Sequence, residues 1–323
     1  MFRKFSLKTL SIVFIALLAL VIIARIVDHS NGTNTLKSML FDVNTDNVTS
    51  VVIYPKMLKG DKIELKKAGD NWTVLRNGNT YNGEGTMINR LIDQVNKLKP
   101  LRLAARKTDQ WEKYELTDSL SSVVKLMNGS KELASLYIGK FSYRQAKQNP
   151  AMMQQNQYYQ QPRGTMTTYV RTGDDDEVYA VEGFLGSMIN RDANAFRNKQ
   201  LVKVNKTNLN KISFNYPADS SFTMVLNEDK WMSDGIALDS ASVAQYLNKI
   251  QNLKASAFAD VDKGNYTHTI QIQDNQMNIA EVKAYLDGDE AVMVSNQNEG
   301  TIFKEKKDMN FSKLFVSKSA FIK

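Results

Sequence analysis

At 323 residues, with 42% hydrophobic and 24% charged side chains, the chain is long enough for two packed domains and ordinary enough in composition for each to hold a core. It has no cysteine, which excludes disulfides, thiolate nucleophiles, Cys-ligated zinc and an acylated cysteine anchor. The net charge of +8 is no footprint for nucleic acid: Arg3, Lys4, Lys8 and Arg25 crowd the first 27 positions, which hold no acid, and the other 38 of 42 basic residues nearly balance 34 acids.

Residues 9–24 (TLSIVFIALLALVIIA) carry no charge, and the apolar run continues past Arg25 to Val27. That length suits the hydrocarbon core of a bilayer. Basic residues lead the segment and Asp28 comes after it, so the positive-inside rule predicts a cytoplasmic N-terminus. Residues 1–27 therefore read as a cytoplasmic tip and a transmembrane signal anchor, touching the lipid bilayer through residues 9–27. On this reading the protein is a single-pass protein of the bacterial inner membrane, with everything after Asp28 periplasmic or otherwise extracytoplasmic. The rival reading is a cleaved signal peptide, although no small-x-small site closes the segment. Either would export the rest. Residues 28–42 open with the polar, turn-rich string DHSNGTNT and read as a tether.

The remainder of the chain reads as two tandem copies of one module, at residues 43–203 and 204–323. In the first, Val48, Val51 and Ile53 predict a strand that ends before Pro55, because proline cannot donate to a ladder. Ile63 and Leu65, a turn at Asp70, and Trp72 predict a hairpin. Ile88, Leu91, Ile92, Val95 and Leu98 form the stripe of an amphipathic helix, with Glu84 in the cap position. Alternating segments at 122–128, 132–138, 167–172 and 177–181 predict a meander. The second copy repeats the order. Leu209, Ile212 and Phe214 precede Pro217, Phe222 and Met224 precede Trp231, and Asp239 caps the stripe Val243, Tyr246, Leu247, Ile250 and Leu253. Alternation returns at 268–272, 280–286, 291–295 and 301–304. The class expected is α+β: a transmembrane helix, then two antiparallel-sheet modules, each with one amphipathic helix packed on its sheet.

One stretch has no counterpart in the second copy. Residues 141–166 read as a long insertion in a hairpin of the first module, rich in Gln, Asn, Met and Tyr. Loops of this length carry function or are disordered. Tyr143, Arg144, Met152, Met153, Tyr158, Tyr159 and Arg163 are the candidate partner-binding residues, the aromatics and methionines supplying adaptable contact area and the arginines steering.

Catalytic chemistry finds little footing. Histidine is limited to His29 and His268, and no nucleophile elbow, phosphate loop or dinucleotide fingerprint accompanies them. The acidic run at 174–177 reads as a solvated hairpin tip, with a calcium site as the sharper alternative. Trp72, Trp111 and Trp231 invite a sugar-stacking platform, but Trp72 and Trp231 occupy equivalent module positions, which favours packing.

The ordered string Trp72, the apolar helix, Tyr114-x-Leu116, Ile138-Gly139, Tyr169-Val170-Arg171, Val178-Tyr179 and Arg197-x-Lys199 resembles the bacterial family called domain of unknown function 4340, over roughly residues 60–215. The sequence departs from the pattern at Glu115, where glycine is usual, and at Asn198, where an acid is common. The resemblance implies an exported, membrane-tethered protein of a kind often encoded beside an ABC transporter of the gliding-motility type, hence an accessory envelope role by association, and it supplies no catalytic residue.

The functional expectation is thus a non-enzymatic, membrane-anchored accessory or scaffold protein of an envelope complex, with an ABC transporter as the associated machine that the resemblance implies. It needs no cofactor or metal and takes an envelope protein complex as partner, with any small-molecule ligand unidentified. The alternative is a periplasmic or surface glycan-binding module.

Overall fold

The computed structural model describes residues 36–144, 164–275 and 277–322, together with Leu17. Alternation builds most of it. In β1 (Ser50–Tyr54), β2 (Ile63–Ala68) and β3 (Asn71–Arg76), the buried residues Val51, Ile53, Ile63, Leu65, Trp72 and Val74 face one core. The antiparallel register sets Val51 opposite Leu65 and Leu65 opposite Val74, so one apolar row crosses three strands. Asn77 and Gly78 both take positive φ in the turn to β4 (Asn79–Asn82), the backbone shape that a two-residue hairpin turn demands.

From β4 the chain crosses the sheet as a helix, α1 (Gly85–Asn96), and returns as β5 (Pro100–Ala105). A meander of β6 (Ser122–Asn128), β7 (Lys131–Arg144), β8 (Thr165–Thr172) and β9 (Val178–Glu182) completes the sheet, in the order β4-β3-β2-β1-β6-β7-β8-β9-β5. The helix therefore joins the two edges. It buries Ile88, Leu91, Ile92 and Val95 against the sheet.

The second sheet takes the same path. Its strands are β11 (Leu209–Asn215), β12 (Phe222–Asn227), β13 (Lys230–Ser233), β14 (Ile236–Ala237), β16 (Ala257–Phe258), β17 (His268–Asp274), β18 (Asn278–Asp287), β19 (Glu290–Ser295) and β20 (Ile302–Lys306). Their order is β14-β13-β12-β11-β17-β18-β19-β20-β16, the order of the first sheet strand for strand. A helix, α2 (Ser240–Ile250), again links the edges and buries Val243, Tyr246, Leu247 and Ile250.

Two expectations are corrected. The class is mostly β, not α+β: α1 and α2 are 12 and 11 residues long, while strands fill two nine-stranded antiparallel sheets. A helix of that length covers only part of so wide a sheet, and strands such as β4 and β16 are too short to announce themselves by alternation. The single-pass inner-membrane anchor is likewise withdrawn. Among the described residues no helix is long and apolar enough to cross a membrane, for which about 20 apolar residues are needed. Residues 9–27, on which that expectation rested, lie outside the described residues apart from Leu17.

The two modules meet along a seam. β10 (Gln200–Lys203) pairs with β15 (Asn252–Lys254) in a two-stranded ladder, placing Leu201 and Val202 in the second core. Asn82 Nδ2 donates to Asn298 Oδ1 at 2.9 Å and to the Glu299 carbonyl at 2.8 Å. Lys254 Nζ reaches Glu84 at 2.9 Å.

Candidate functional site

The motif residues of the first module gather at one corner. The turn at Trp111, Tyr114 and Leu116 lies across β7, and the Tyr114 carbonyl oxygen would be 2.1 Å from a Cβ on Gly139. Only glycine admits that approach. Glu115 occupies the left-handed region (φ 57), which explains why glycine is the easier residue there. Its carboxylate pairs with Lys56 at 2.8 Å.

Arg171, on β8, is buried at this corner. Its guanidinium lies 3.8 Å from the centre of the Trp111 ring and 3.4 Å from that of Tyr137. Nε donates to the Leu116 carbonyl at 2.9 Å and Nη2 to Asp118 at 3.1 Å. Planar stacking plus directed donors is what arginine supplies and lysine does not. Tyr114 and Tyr169 meet in a tilted ring contact, 4.6 Å between centres. The buried guanidinium spends its donors on this turn, so the corner reads as a lock on the fold.

The acidic run behind it is also engaged. Asp175 accepts from Lys37 Nζ at 2.7 Å and from the Tyr179 hydroxyl at 2.9 Å, and the same hydroxyl lies 2.6 Å from Glu177. Burial alone would raise the Asp175 carboxyl, but hydrogen bonds from Lys37, the Glu177 N–H and Tyr179 hold it below the usual carboxylate range. Burial and the two carboxylates push the Tyr179 hydroxyl far up. Among the described residues no three acidic or histidine side chains gather as a metal site. The tryptophans fall in separate clusters: Trp72 in the first core, Trp231 against the second, and Trp111 on Arg171. His268 is packed among Tyr216, Phe311 and Phe315, at 5.3, 5.1 and 5.6 Å between ring centres, and burial lowers its pKa.

The hairpin carrying the predicted partner residues reaches further than the sequence suggested. Its ladder runs through Tyr143↔Met166 to Arg144↔Thr165, so residues 141–144 and 165–166 belong to strands rather than to an insertion. Met152, Met153, Tyr158, Tyr159 and Arg163 lie outside the described residues. Tyr143 and Arg144 close the described end of β7, and Tyr143 is 54% exposed. Phe141, Tyr143 and Met166 share one face, since opposite and alternate positions point the same way. Phe184 packs against Phe141 in a tilted contact, 4.7 Å between ring centres. Phe141, Met166 and Phe184 remain 38%, 47% and 49% exposed. Sequence reasoning missed Phe141, Met166 and Phe184; the alternation of Phe141 with Tyr143 was the available signal.

A second concavity lies at the seam. It encloses about 500 Å³ and includes the exposed side of α1, with Arg90 and Met87, and residues of the connecting chain, with Arg197 and Lys199. Arg197 is 8% exposed, and its guanidinium sits between Tyr81 of the first module, 3.9 Å from the ring centre, and Phe258 of the second, at 3.6 Å. Burial pushes it below its ordinary pKa, against the pull of Tyr81, Asp260 and Asp192. Nη1 donates to Asn194 Oδ1 at 3.0 Å, while Nε is buried with no hydrogen-bond partner. The sequence flagged Arg197 and Lys199 only as a motif, because Tyr81 and Phe258 come from distant elements.

No curated protein and no solved structure matches the chain. A family model does match, over residues 160–269, a stretch that begins and ends later than the 60–215 of the resemblance. It takes in Tyr169-Val170-Arg171, Val178-Tyr179 and Arg197-Asn198-Lys199, and leaves Trp72 and Tyr114 outside. The family it describes is the domain of unknown function DUF4340, as the ordered motifs indicated, and its match crosses the seam between the two modules.

Proposed function

We propose that this chain is a non-enzymatic accessory protein that holds a protein partner at the described end of the β7–β8 hairpin. The observation that carries this is the apolar cluster Phe141, Tyr143, Met166 and Phe184, four large side chains left exposed on one end of one sheet. Soluble surfaces scatter such residues singly, and a contiguous group marks an interaction surface. Arg144 beside the cluster adds a charge for steering. The non-enzymatic part is supported by the packing of His268 in aromatic rings and by the inward use of Arg171, Asp175 and Glu177. An envelope complex with an ABC transporter, the partner that the family resemblance implies, is the first candidate.

The test is co-purification of tagged full-length protein from its native cells, comparing the parent with a variant carrying Phe141→Ser, Tyr143→Ser, Met166→Ser and Phe184→Ser. Loss of the transporter subunits with an unchanged thermal melt supports the reading. Equal recovery by both proteins overturns it.

A further inference from the structure

The cleft at the seam holds a buried cation that feels the charges of Asp260 and Asp192 but is directly paired with no carboxylate among the described residues. Arg197 makes no ion pair among the described residues; it has two aromatic faces and one amide oxygen. A desolvated guanidinium with an idle Nε is costly, and an arginine fork suits planar oxyanions. Three further cations line the same cavity. Arg90 projects from α1 and Lys199 comes just after Arg197 along the chain, while Lys254 is already paired with Glu84, the one acid in the wall. The balance of charge at the cleft is positive.

Apart from Thr86 and Gln94, the rest of the wall is apolar. Met87 and Leu91 come from α1, and Met188 and Phe196 from the segment that leads into the seam. About 500 Å³ is the volume of a site for a small organic molecule, not for an ion alone. The cavity also stands between modules, where such sites concentrate. Cation and apolar wall together define the ligand by chemistry.

We propose that the seam cleft binds an amphiphilic organic anion, its carboxylate or phosphate held by Arg197 and Lys199 and its apolar body lying along Met87, Leu91 and Met188. Because Arg197 touches Tyr81 of one module and Phe258 of the other, an occupant draws on both. The cleft shares no lining residue with the hairpin surface, although Phe184 of that surface and Met188 of the cleft stand four residues apart.

Titration calorimetry on the full chain tests this with three probes below their aggregation concentrations: decanoate, decanol and inorganic phosphate. Decanoate is expected to bind at least tenfold more tightly than either of the others, since neither decanol nor phosphate satisfies both halves of the cleft. Binding of decanoate is expected to fall at least tenfold in Arg197→Gln and in Lys199→Ala. Should Arg197→Gln fail to fold, Met87→Trp, which fills the cleft from a half-buried helix position, replaces it with the same expectation. No decanoate binding, equal binding of decanol or phosphate, or decanoate binding unchanged in the variants overturns the proposal.

Discussion

The carbonyl oxygen of Tyr114 and the α-carbon of Gly139 are so placed that a Cβ on the glycine would lie 2.1 Å from that oxygen. Both groups are backbone, so neither can swing away as a flexible side chain would. Gly139→Ala is therefore expected to destabilise the first module by about 3 kcal/mol, the upper part of the range for overpacking. Urea unfolding followed by circular dichroism measures it. A midpoint equal to that of the parent shows that the turn at 111–116 lifts without cost.

Arg171 and its neighbours separate stacking from ion pairing. Asp118, its carboxylate partner, is 86% exposed at the side chain, so the charge pair is screened. Asp118→Asn should cost under about 1 kcal/mol. Arg171→Lys should cost about 2–3 kcal/mol, because lysine loses the planar contact with Trp111 and Tyr137 and leaves the Leu116 carbonyl without its donor. Comparable losses for the two variants would assign the stability to the ion pair.

Asp175 ties the first module to pH. Burial opposes its ionisation, yet the bonds from Lys37, the Glu177 N–H and Tyr179 leave its folded pKa below the unfolded one. The ionised carboxylate thus favours folding. That contribution is complete above the unfolded pKa, about 3.9, and is lost as pH falls through the lower folded value. Asp175→Asn should lower the unfolding midpoint at neutral pH, with the gap to the parent closing under strongly acidic conditions. A gap of constant size from neutral to strongly acidic pH would break the linkage.

The two helix starts are expected to respond differently. Asp239 accepts from the Ser242 N–H at 3.0 Å and caps α2, whereas Glu84, in the corresponding place, makes no cap bond and reaches Lys254 instead. Asp239→Ala should cost about 1 kcal/mol of stability in the second module. Glu84→Ala should leave α1 near its parent stability, since its exposed pair is worth under about 1 kcal/mol. Backbone amide exchange in the first turn of each helix reports both. Equal protection losses would make Glu84 a cap after all.

The helix stripes were legible because a single period carries them. Ile88, Leu91, Ile92, Val95 and Leu98, and Val243, Tyr246, Leu247, Ile250 and Leu253, are all buried. β5 was not legible: its six residues, Pro-Leu-Arg-Leu-Ala-Ala, are mostly not buried, and the partner that makes them a strand is β9, far along the chain. β14 and β16 have two residues each, too few for a period. The sites divide the same way. Tyr143 and Arg144 stood out by composition, but the exposed cluster needed Phe184, which joins Phe141 only through the sheet. Arg171 and Arg197 appeared as motif letters; their roles depend on the rings of Trp111, Tyr137, Tyr81 and Phe258, all distant in the chain.

The seam has a consequence for proteolysis. Lys203 and Lys206 are exposed, and cleavage after either would sever the covalent link. Yet the scission leaves Leu201 and Val202 seated in the core of the other fragment, β10 still laddered to β15, and Arg197 still gripped between Tyr81 and Phe258. Trypsin should therefore yield two bands on a denaturing gel from a particle that still sediments as one.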